Sequence, residues 1–443
     1  MALWFEQALL PEGWRSGVRI TLSGGQIATI TPDTSPGPED ERHGPAFAGL
    51  PNVHSHAFQR AMAGLTERAG EGKDSFWTWR EAMYRFVDRL DPEGLHAIAA
   101  LAYAEMLESG FTSVGEFHYL HHDPSGVPYA NPAAMAEAIA EAAQETGMAL
   151  TLLPVFYAHS DFGGAPPTTS QRRFLHSRDS FSRLMEALKL LDATLGVAPH
   201  SLRAVTPEEL ADVTILAPEG PIHIHIAEQM REVEACLAWS GQRPVEWLMS
   251  HAEVDRRWCL VHATHITDSE LGAIAKNGAT VGLCPITEAN LGDGLFPAQA
   301  FLAQGGRIGI GSDSNVEIDA AAELRLLEYG QRLIHQGRNL LASAAGRSTG
   351  ASLYHHAQNG AQALGHLPTA LTPGARADIV TLRRDHPSTA ARSGDPLLDS
   401  WIFARADIDS VWCAGKKRVS AGVHHARPAI EARYTQLLKA LLD

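Results

Sequence analysis

The stretch CLVHATHITDSELGAIAKNGATVGLC, residues 259–284, decides the fold class of this chain. Its two ends, Cys259–Ala263 and Thr280–Cys284, are short apolar runs of the kind found in buried strands. Between them, Asp268–Lys276 carries Ala, Leu and Glu at helical spacing, and residues 267–270, Thr-Asp-Ser-Glu, match the signal for a helix start. The stretch therefore predicts a strand, a helix and a second strand.

The same alternation extends in both directions, from about residue 47 to about residue 345. Eight runs are predicted to be strands: Phe47–Val53, Phe111–Phe117, Leu150–Tyr157, Leu195–Pro199, Pro221–Ala227, Cys259–Ala263, Thr280–Cys284 and Arg307–Gly311. Helix-like segments between them include Gly94–Glu108, Pro132–Glu145, Pro207–Leu216, Asp268–Lys276 and Ala320–Ile334. Eight strands, each followed by a helix, predict an α/β protein built as a (β/α)8 TIM barrel, whose usual length of about 250 residues fits this window.

The two ends of the chain have a different pattern. Residues 17–31 predict a β-hairpin with a Gly-Gly turn, and residues 377–382 and 408–423 predict further strands. We expect these distant segments to pair into one small β-sandwich domain built from both termini. The predicted domains are a discontinuous β-sandwich of residues 1–46 and 366–443 and a catalytic barrel of residues 47–365.

Composition excludes several classes of protein. With 45% hydrophobic and 20% charged residues the chain is globular, and its formal charge of −15 argues against a protein that binds nucleic acid. No apolar run reaches the roughly 18 residues that a membrane span needs, and no secretory signal is evident. The four cysteines form no C-x-x-C pair, which predicts a cytoplasmic protein without a cysteine-based zinc ribbon.

His54-Ser55-His56 stands at the end of the first predicted strand. Residues i and i+2 of a strand share a face, so the two imidazoles point the same way, and imidazole is a common zinc ligand. Paired histidines on a loop are more often solvated. The position at the carboxyl end of a barrel strand, where barrel enzymes hold their active sites, favours a metal site.

Three more strand ends carry groups that bind metals or transfer protons. In the fifth strand we expect His225 to be a ligand, His223 to lie in the core or behind the site, and Glu228 to act as a proton shuttle. The sixth strand supplies His262, with His265 beyond it in a capping or supporting role. After the eighth strand, Asp313 is a candidate ligand and proton acceptor, with a helix N-cap as its alternative.

This ordered set of residues resembles the amidohydrolase superfamily of metal-dependent hydrolases, over nearly the whole chain. Its members with two metal ions have a bridging lysine on the fourth strand, and residues 195–201, LGVAPHS, contain none. The resemblance therefore implies the deaminase-like branch with one Zn²⁺ per subunit, or Fe²⁺, which accepts a similar donor set. It implies metal ligands and catalytic groups as follows: ligands His54, His56, His225 and Asp313; catalytic residues Glu228, His262 and Asp313.

Four shorter segments resemble the N-formimino-L-glutamate deiminases of histidine degradation: residues 53–60 (VHSHAFQR), 77–81 (WTWRE), 115–119 (GEFHY) and 199–203 (PHSLR). This resemblance implies hydrolysis of a small dianionic substrate to N-formyl-L-glutamate and ammonia by a homodimer. The substrate contacts it implies are Gln59, Arg80, Tyr119, His200 and Arg203. Two arginines match two carboxylates, because the guanidinium fork binds a carboxylate through two hydrogen bonds.

Other interpretations stay open at this point. The chain could deaminate a purine, pyrimidine or triazine ring, release formamide instead of ammonia, or be an inactive binding protein on the same barrel. Arg80 could form a surface ion pair with Glu81 or Asp88, and Tyr119 could be a packing residue. The neighbouring polar residues are predicted to be a loop without a catalytic role: Glu116, His118, His121 and His122.

Overall fold

The structure, a computed structural model, describes residues 2–68 and 76–442. The amino-terminal strands are β1 (Ala2–Leu10), β2 (Gly13–Ser23), β3 (Gln26–Thr31), β4 (Glu41–His43) and β5 (Ala46–Ala48). The barrel strands are β6 (Leu50–Ser55), β7 (Phe111–His118), β8 (Ala149–Phe156), β9 (Thr194–Leu195), β10 (Ala198–Pro199), β11 (Ile222–Ile226), β12 (Trp258–His262), β13 (Thr280–Leu283) and β14 (Arg307–Ile310). The carboxyl-terminal strands are β15 (Ile379–Leu382), β16 (Ile408–Cys413), β17 (Lys416–Ser420) and β18 (Val423–His424).

The barrel strands form one parallel sheet, as the alternating pattern predicts. Its order is β10-β8-β7-β6-β14-β13-β12-β11, and β9 pairs with β8 beside β10, so β9 and β10 are two pieces of the predicted fourth strand. Parallel bridges from Val197 to Ile222 and from Ser201 to His225 join the two remaining edges. The predicted α/β barrel fold is therefore confirmed, and the carboxyl ends of its strands meet at one rim.

The first predicted strand, Phe47–Val53, is wrong as a single element. Residues 46–48 pair with β1 and β15 in the other sheet, and the barrel strand β6 begins at Leu50. The chain changes sheets at Gly49, where a Cβ atom would lie 2.2 Å from Cγ2 of Thr112, so no larger residue fits. Both sides of the break are buried and apolar, which is why the hydrophobic pattern does not reveal it.

Helices surround the barrel and extend beyond it. They are α1 (Phe76–Val87), α2 (Pro92–Ser109), α3 (Ala134–Thr146), α4 (Arg178–Leu188), α5 (Pro207–Thr214), α6 (Met230–Ser240), α7 (Pro244–His251), α8 (Asp268–Asn277), α9 (Pro285–Leu291), α10 (Ala298–Ala303), α11 (Ala320–His335), α12 (Thr349–Gln358), α13 (Pro396–Ala404) and α14 (Arg427–Leu442). Short 3-10 helices span Ala57–Met62, Thr169–Gln171 and Asn359–Leu364. The five predicted helices are present with ends shifted by at most two residues. Strand β1 and helix α14 were not predicted.

Both termini contribute to a second sheet of nine strands, ordered β18-β17-β16-β15-β5-β1-β2-β3, with β4 paired to β1. The predicted hairpin is present as β2 and β3, joined at Gly24-Gly25. This sheet has a core of its own, in which Phe5, Val18 and Ile20 pack with Ile379 and Trp412. The division of the chain into domains at residues 46 and 366 stays a prediction.

No helix within the two described ranges has the length and apolar character needed to cross a membrane.

Arg173 anchors the long connection between β6 and β7 to the barrel. Its buried guanidinium donates to the backbone carbonyls of Leu90 at 2.7 Å and His122 at 2.9 Å, and also to that of Val87, the last residue of α1. Hydrogen bonds from a charged donor each contribute about 1.5–3 kcal/mol, and losing them leaves buried carbonyls without partners. The Arg173→Met variant is therefore expected to lower the free energy of unfolding by at least about 3 kcal/mol, measured by urea denaturation.

The neighbouring Arg172 provides the control for this prediction. It is half-buried and pairs with Asp88 at 2.8 Å, and its hydrogen bonds to the carbonyls of Pro124 and Thr169 are exposed to water. Arg172→Met is therefore expected to lower the stability by less than about 1 kcal/mol. Equal losses in the two variants would contradict the role given to the Arg173 hydrogen bonds.

Candidate active site

Three imidazoles and one carboxylate meet at the rim of the barrel. His54 and His56 come from the end of β6, His225 from β11 and Asp313 from the turn after β14. Nε2 of His54 lies 3.2 Å from Nε2 of His56 and 3.1 Å from Nε2 of His225. Oδ1 of Asp313 lies 3.5 Å and 3.3 Å from Nε2 of His54 and His56, respectively. All four side chains are buried and their donor atoms converge on one point.

The spacing of these donor atoms fits a zinc ion. Zinc–nitrogen bonds of about 2.0–2.1 Å in a tetrahedral site hold neighbouring ligand atoms about 3.3–3.4 Å apart. Nδ1 of His56 donates to the carbonyl of Phe117 at 3.0 Å, and Nδ1 of His225 donates to the carbonyl of His200 at 3.2 Å. These hydrogen bonds place the proton on Nδ1, so the lone pair of each Nε2 points into the cluster.

Burial and neighbouring charges also set the protonation states of the four candidate ligands. It lowers the pKa of His54 to about 3 and the pKa of His56 and His225 below the usual value, which keeps the imidazoles in the neutral form that binds metals. Burial alone would raise the pKa of Asp313, but its hydrogen bond and charge interaction with His54, together with His56 and His262, lower it. The cluster therefore combines neutral imidazoles with one ionised carboxylate.

A hydrogen-bond network fixes the two strands that carry three of these residues. Asn52 donates to Oγ of Ser312 at 2.7 Å, and Asn315 donates to Oγ of Ser55 and to the carbonyl of His56, both at 3.1 Å. Gly311 allows the close approach, since a Cβ atom there would lie 2.9 Å from Cβ of His54. Sequence reasoning missed Asn52 and Asn315, because an Asn beside a strand end is equally typical of a turn.

Backbone strain occurs at two of the site residues. His262 and Asp313 have left-handed backbones, with φ of 69° and 43°, which costs about 1–2 kcal/mol for a residue other than glycine. Strained backbones of this kind are concentrated at functional sites. Asp313 is not a helix N-cap, since the cap of α11 is Asp319, whose side chain accepts from the backbone of Ala322.

His262, Glu228 and Asp313 lie together beside the cluster. Nε2 of His262 is 3.9 Å from Oε1 of Glu228 and 3.7 Å from Oδ2 of Asp313. Its Nδ1 donates to Oε1 of Glu288 at 3.2 Å, and the same oxygen accepts from the backbone of Cys284 at 2.9 Å. Glu288 was not predicted, because only the turn of the chain into α9 brings it behind His262.

The charges around His262 set the protonation of this group. Burial alone lowers the pKa of His262, but the charges of Glu228, Glu288 and Asp313 raise it to about 10. Burial raises the pKa of Glu228 to about 7. A protonated imidazole therefore faces the cluster beside a carboxyl group that can gain or lose a proton near neutral pH.

Two other histidines named from the sequence lie outside the cluster. His223 faces the barrel interior, where its Nε2 donates to the carbonyl of Ala363 at 2.6 Å. His265 does not cap α8, because Thr267 has that position. Its carbonyl instead accepts from Arg243 at 2.5 Å.

The five predicted substrate contacts all line one cavity that opens at the cluster: Gln59, Arg80, Tyr119, His200 and Arg203. Gln59 donates to the hydroxyl of Tyr119 at 2.8 Å. Two buried polar atoms in this set, Oε1 of Gln59 and Nε of Arg203, have no hydrogen-bond partner in the described part of the chain. Buried polar groups without partners in a cavity are suited to bind a ligand.

The structure also tests the simpler explanations of these side chains. Asp88 pairs with Arg172, and Arg80 instead lies 4.5 Å from the ring of Trp77 and 5.7 Å from the ring of Tyr84. Tyr119 does pack against aromatic neighbours, with its ring centre 4.9 Å from that of Phe174, while its hydroxyl faces Gln59.

The predicted polar loop is wrong for Glu116 and His118, whereas His121 and His122 do lie in the loop after β7. Glu116 and His118 belong to β7, and all four predicted loop residues are buried. Glu116 accepts from the backbone of Ala57 at 2.7 Å, while Nε2 of His121 donates to a backbone carbonyl at 3.1 Å. Long-range hydrogen bonds of this kind allow polar groups to be buried.

Comparison with known proteins agrees with this geometry. The profile of the amidohydrolase family matches residues 46–418, and that of the formimidoylglutamate deiminase HutF amino-terminal domain matches residues 2–44. The chain is 49% identical over 451 residues to the formimidoylglutamate deiminase of Pseudomonas aeruginosa, covering 100% of both chains. It is 28% identical to the 8-oxoguanine deaminase of the same organism, covering 89% of this chain and 87% of the other.

Solved structures give the same result for the fold. A crystal structure of an amidohydrolase from Brucella melitensis matches with a TM-score of 0.96 and 53% identity, covering 100% of both chains. An adenosine deaminase from Xanthomonas campestris with bound zinc matches with a TM-score of 0.80 at 21% identity, covering 99% of this chain and 98% of the other. The second similarity concerns the fold alone.

Proposed function

The chain belongs to the amidohydrolase family, and on that premise we propose that it hydrolyses N-formimino-L-glutamate to N-formyl-L-glutamate and ammonia in histidine degradation. The enzyme is a hydrolase acting on C–N bonds, as the sequence predicts. The observation that carries the choice of substrate is the position of Arg80 and Arg203 in the same cavity as the convergent His and Asp side chains. Two guanidinium groups match the two carboxylates of this substrate.

We propose one zinc ion per subunit as the cofactor, held by His54, His56, His225 and Asp313. Ferrous iron accepts a similar set of donors and is the alternative. When bound in such a site, zinc supplies Lewis acidity that activates water near neutral pH.

The chain's own residues then move the protons. Glu228 takes a proton from the attacking water and delivers it to the imino nitrogen, since its pKa of about 7 suits both steps. As the carbonyl forms, Asp313 accepts the second proton of the water and passes it to the same nitrogen, which departs as ammonia. His262, protonated and fixed by Glu288, donates a hydrogen bond from Nε2 to the developing oxygen. Asp313 directs Oδ2 toward His262 and orients the water for attack on the formimino carbon.

The substrate contacts give a prediction about binding. Arg80→Gln and Arg203→Gln are each expected to raise KM for N-formimino-L-glutamate by about 10- to 100-fold, because each removes a charged hydrogen-bond donor worth about 1.5–3 kcal/mol. The loss in kcat is expected to be smaller. The control is Arg172→Met, which lies outside the cavity and should leave KM unchanged, as measured by steady-state ammonia release. An unchanged KM in both cavity variants would contradict the assignment.

Substrate comparison tests the function itself. Ammonia release from N-formimino-L-glutamate should exceed that from guanine, cytosine and an aminotriazine by orders of magnitude. The second candidate function, deamination of such a ring, has support from the aromatic side chains Tyr84, Tyr157 and Phe174 in the same cavity. Faster turnover of a ring substrate would replace the proposal. A proton NMR spectrum of the product separates N-formyl-L-glutamate from the glutamate and formamide that the other C–N cleavage would produce.

We further propose that the enzyme is a cytoplasmic homodimer that binds neither nucleic acid nor membranes. The support for the cytoplasm is that all four cysteines are buried and free, which suits a reducing compartment. The support against nucleic-acid binding is the net charge of −15.

A further inference from the structure

Three arginines surround a single indole ring at the mouth of the cavity. Cζ of Arg231 lies 4.4 Å from the ring centre of Trp77, Cζ of Arg80 lies 4.5 Å from it and Cζ of Arg203 lies 5.7 Å from it. Their exposure is graded: Arg203 is buried, Arg80 is half-buried and Arg231 is exposed. Arg80 and Arg203 line the cavity, while Arg231 and Trp77 stand outside its lining. We call these four residues the arginine cluster.

Neither an ion pair nor a favourable position in the helix dipole explains why an arginine stands at position 231. Within residues 2–68 and 76–442, no carboxylate lies within 4.0 Å of the guanidinium groups of the three arginines. Arg231 is also the second residue of α6, where the helix dipole disfavours a cation. In a chain with a net charge of −15, three arginines that form no ion pair inside the described ranges make a local site for anions at one opening.

Trp77 explains how Arg80 and Arg231 keep their positions without an ion pair among the residues that the structure describes. A guanidinium close to an indole face gains about 0.5–1 kcal/mol at an exposed site through the cation–π attraction. The ring thus holds Arg80 and Arg231 in place while leaving their N–H groups available. The buried carboxyl groups of Glu228 and Glu232 interact with Arg203 at the inner end, and Arg231 lies at the outer end.

We propose that Arg231 is a specificity-determining residue that selects dicarboxylates, by capturing a substrate carboxylate at the mouth before Arg80 and Arg203 bind it inside. This inference rests on the proposed function and extends it to a residue outside the cavity. Arg231 acts on binding and leaves the chemical step alone, because it does not reach the group that reacts. Its effect should depend on the number of carboxylates in the substrate and on ionic strength.

The test compares Arg231→Gln and Arg231→Glu with the matched control Arg256→Gln. Arg256 is exposed just before β12, at the opposite end of the barrel. Arg256→Gln therefore removes the same charge as Arg231→Gln, but far from the mouth of the cavity. Arg231→Gln is expected to raise KM for N-formimino-L-glutamate by about 3- to 10-fold with kcat unchanged, and Arg231→Glu by more than about 10-fold. Raising the salt concentration should shrink the difference from the wild-type enzyme. Arg256→Gln should behave as wild type.

A monocarboxylate substrate separates capture from a structural role. If Arg231 only holds Trp77 and α1 in place, Arg231→Gln will raise KM for N-formiminoglycine and for N-formimino-L-glutamate by the same factor at all salt concentrations. That result overturns the proposal. It is also overturned if KM for the dicarboxylate stays unchanged, or if Arg256→Gln has the same effect. A selective, salt-sensitive loss for the dicarboxylate supports it.

Binding of the expected product keeps this test separate from the proposed function. Calorimetry with N-formyl-L-glutamate measures Kd without turnover, and Arg231→Gln should raise that Kd by the same factor as KM. If the wild-type enzyme fails to release ammonia from N-formimino-L-glutamate, the proposed function fails. If it turns this substrate over while Arg231→Gln changes neither KM nor the product Kd, only the inference about Arg231 fails.

Discussion

Replacing Glu228 with Gln is expected to reduce ammonia release from N-formimino-L-glutamate by about 10³-fold while the zinc content stays at one ion per chain. Gln has the shape of Glu but cannot take a proton from water or deliver one to the leaving nitrogen, and general acid–base catalysis contributes about 10²- to 10⁴-fold. Glu228 lines the cavity 3.9 Å from Nε2 of His262 and is not among the four convergent metal-binding side chains. The measurements are steady-state ammonia release and metal analysis of the same preparation.

Glu232→Gln is the matched control for this variant. Glu232 is a buried carboxyl group one helical turn away, but it does not line the cavity, and it accepts a hydrogen bond from the backbone of Glu228 at 3.1 Å. Gln can accept the same bond, so turnover should fall by less than about 10-fold. Unchanged turnover in Glu228→Gln would contradict the role of Glu228 as the proton shuttle. Loss of zinc together with activity would show that Glu228 supports the metal site instead.

The second large effect concerns metal binding, and β11 offers a pair of variants for it. His225→Ala removes one of the four convergent donors and is expected to weaken zinc binding by at least about 100-fold, with turnover lost at limiting zinc. His223→Ala, two residues earlier on the same strand, removes a hydrogen bond to the carbonyl of Ala363. It should lower the free energy of unfolding by about 1–3 kcal/mol yet keep the zinc.

Metal analysis and thermal unfolding with and without a chelator check this pair. A metal that binds only the native state stabilises it, so chelation should lower the Tm of the wild type and of His223→Ala but not that of His225→Ala. Zinc retained by His225→Ala, or lost from His223→Ala, would contradict the proposed ligand set.

Local pattern was enough to predict the barrel and the position of the cluster. The strand period places His54 and His56 on one face, and parallel strands bring their carboxyl ends to one rim, so His225 and Asp313 meet them there. No single motif carried this prediction. Each of these residues alone has a common structural role, and only their order along the chain, with His262 on a fourth strand end, distinguishes the site.

The remaining features depend on contacts that no local pattern encodes. Thr112 leaves room only for glycine at position 49, where the chain changes sheets, and a hydrogen bond to Glu288 on α9 orients His262. The burial of Glu116 required partners such as Ala57, far away in sequence. Arg231 carries no motif, and only the tertiary fold brings its guanidinium to the ring of Trp77, far away in sequence.

The sheet built from both termini has a consequence for synthesis of the chain on the ribosome. Strand β5 pairs with β15, so the apolar strands β1 and β5 emerge hundreds of residues before the partner that completes their sheet. At elongation rates of about 5–20 residues per second, β1 and β5 remain without the partner strand β15 for roughly 15 to 60 s. The nascent amino terminus is then a candidate for chaperone binding, and refolding of the full chain should be slow and sensitive to protein concentration.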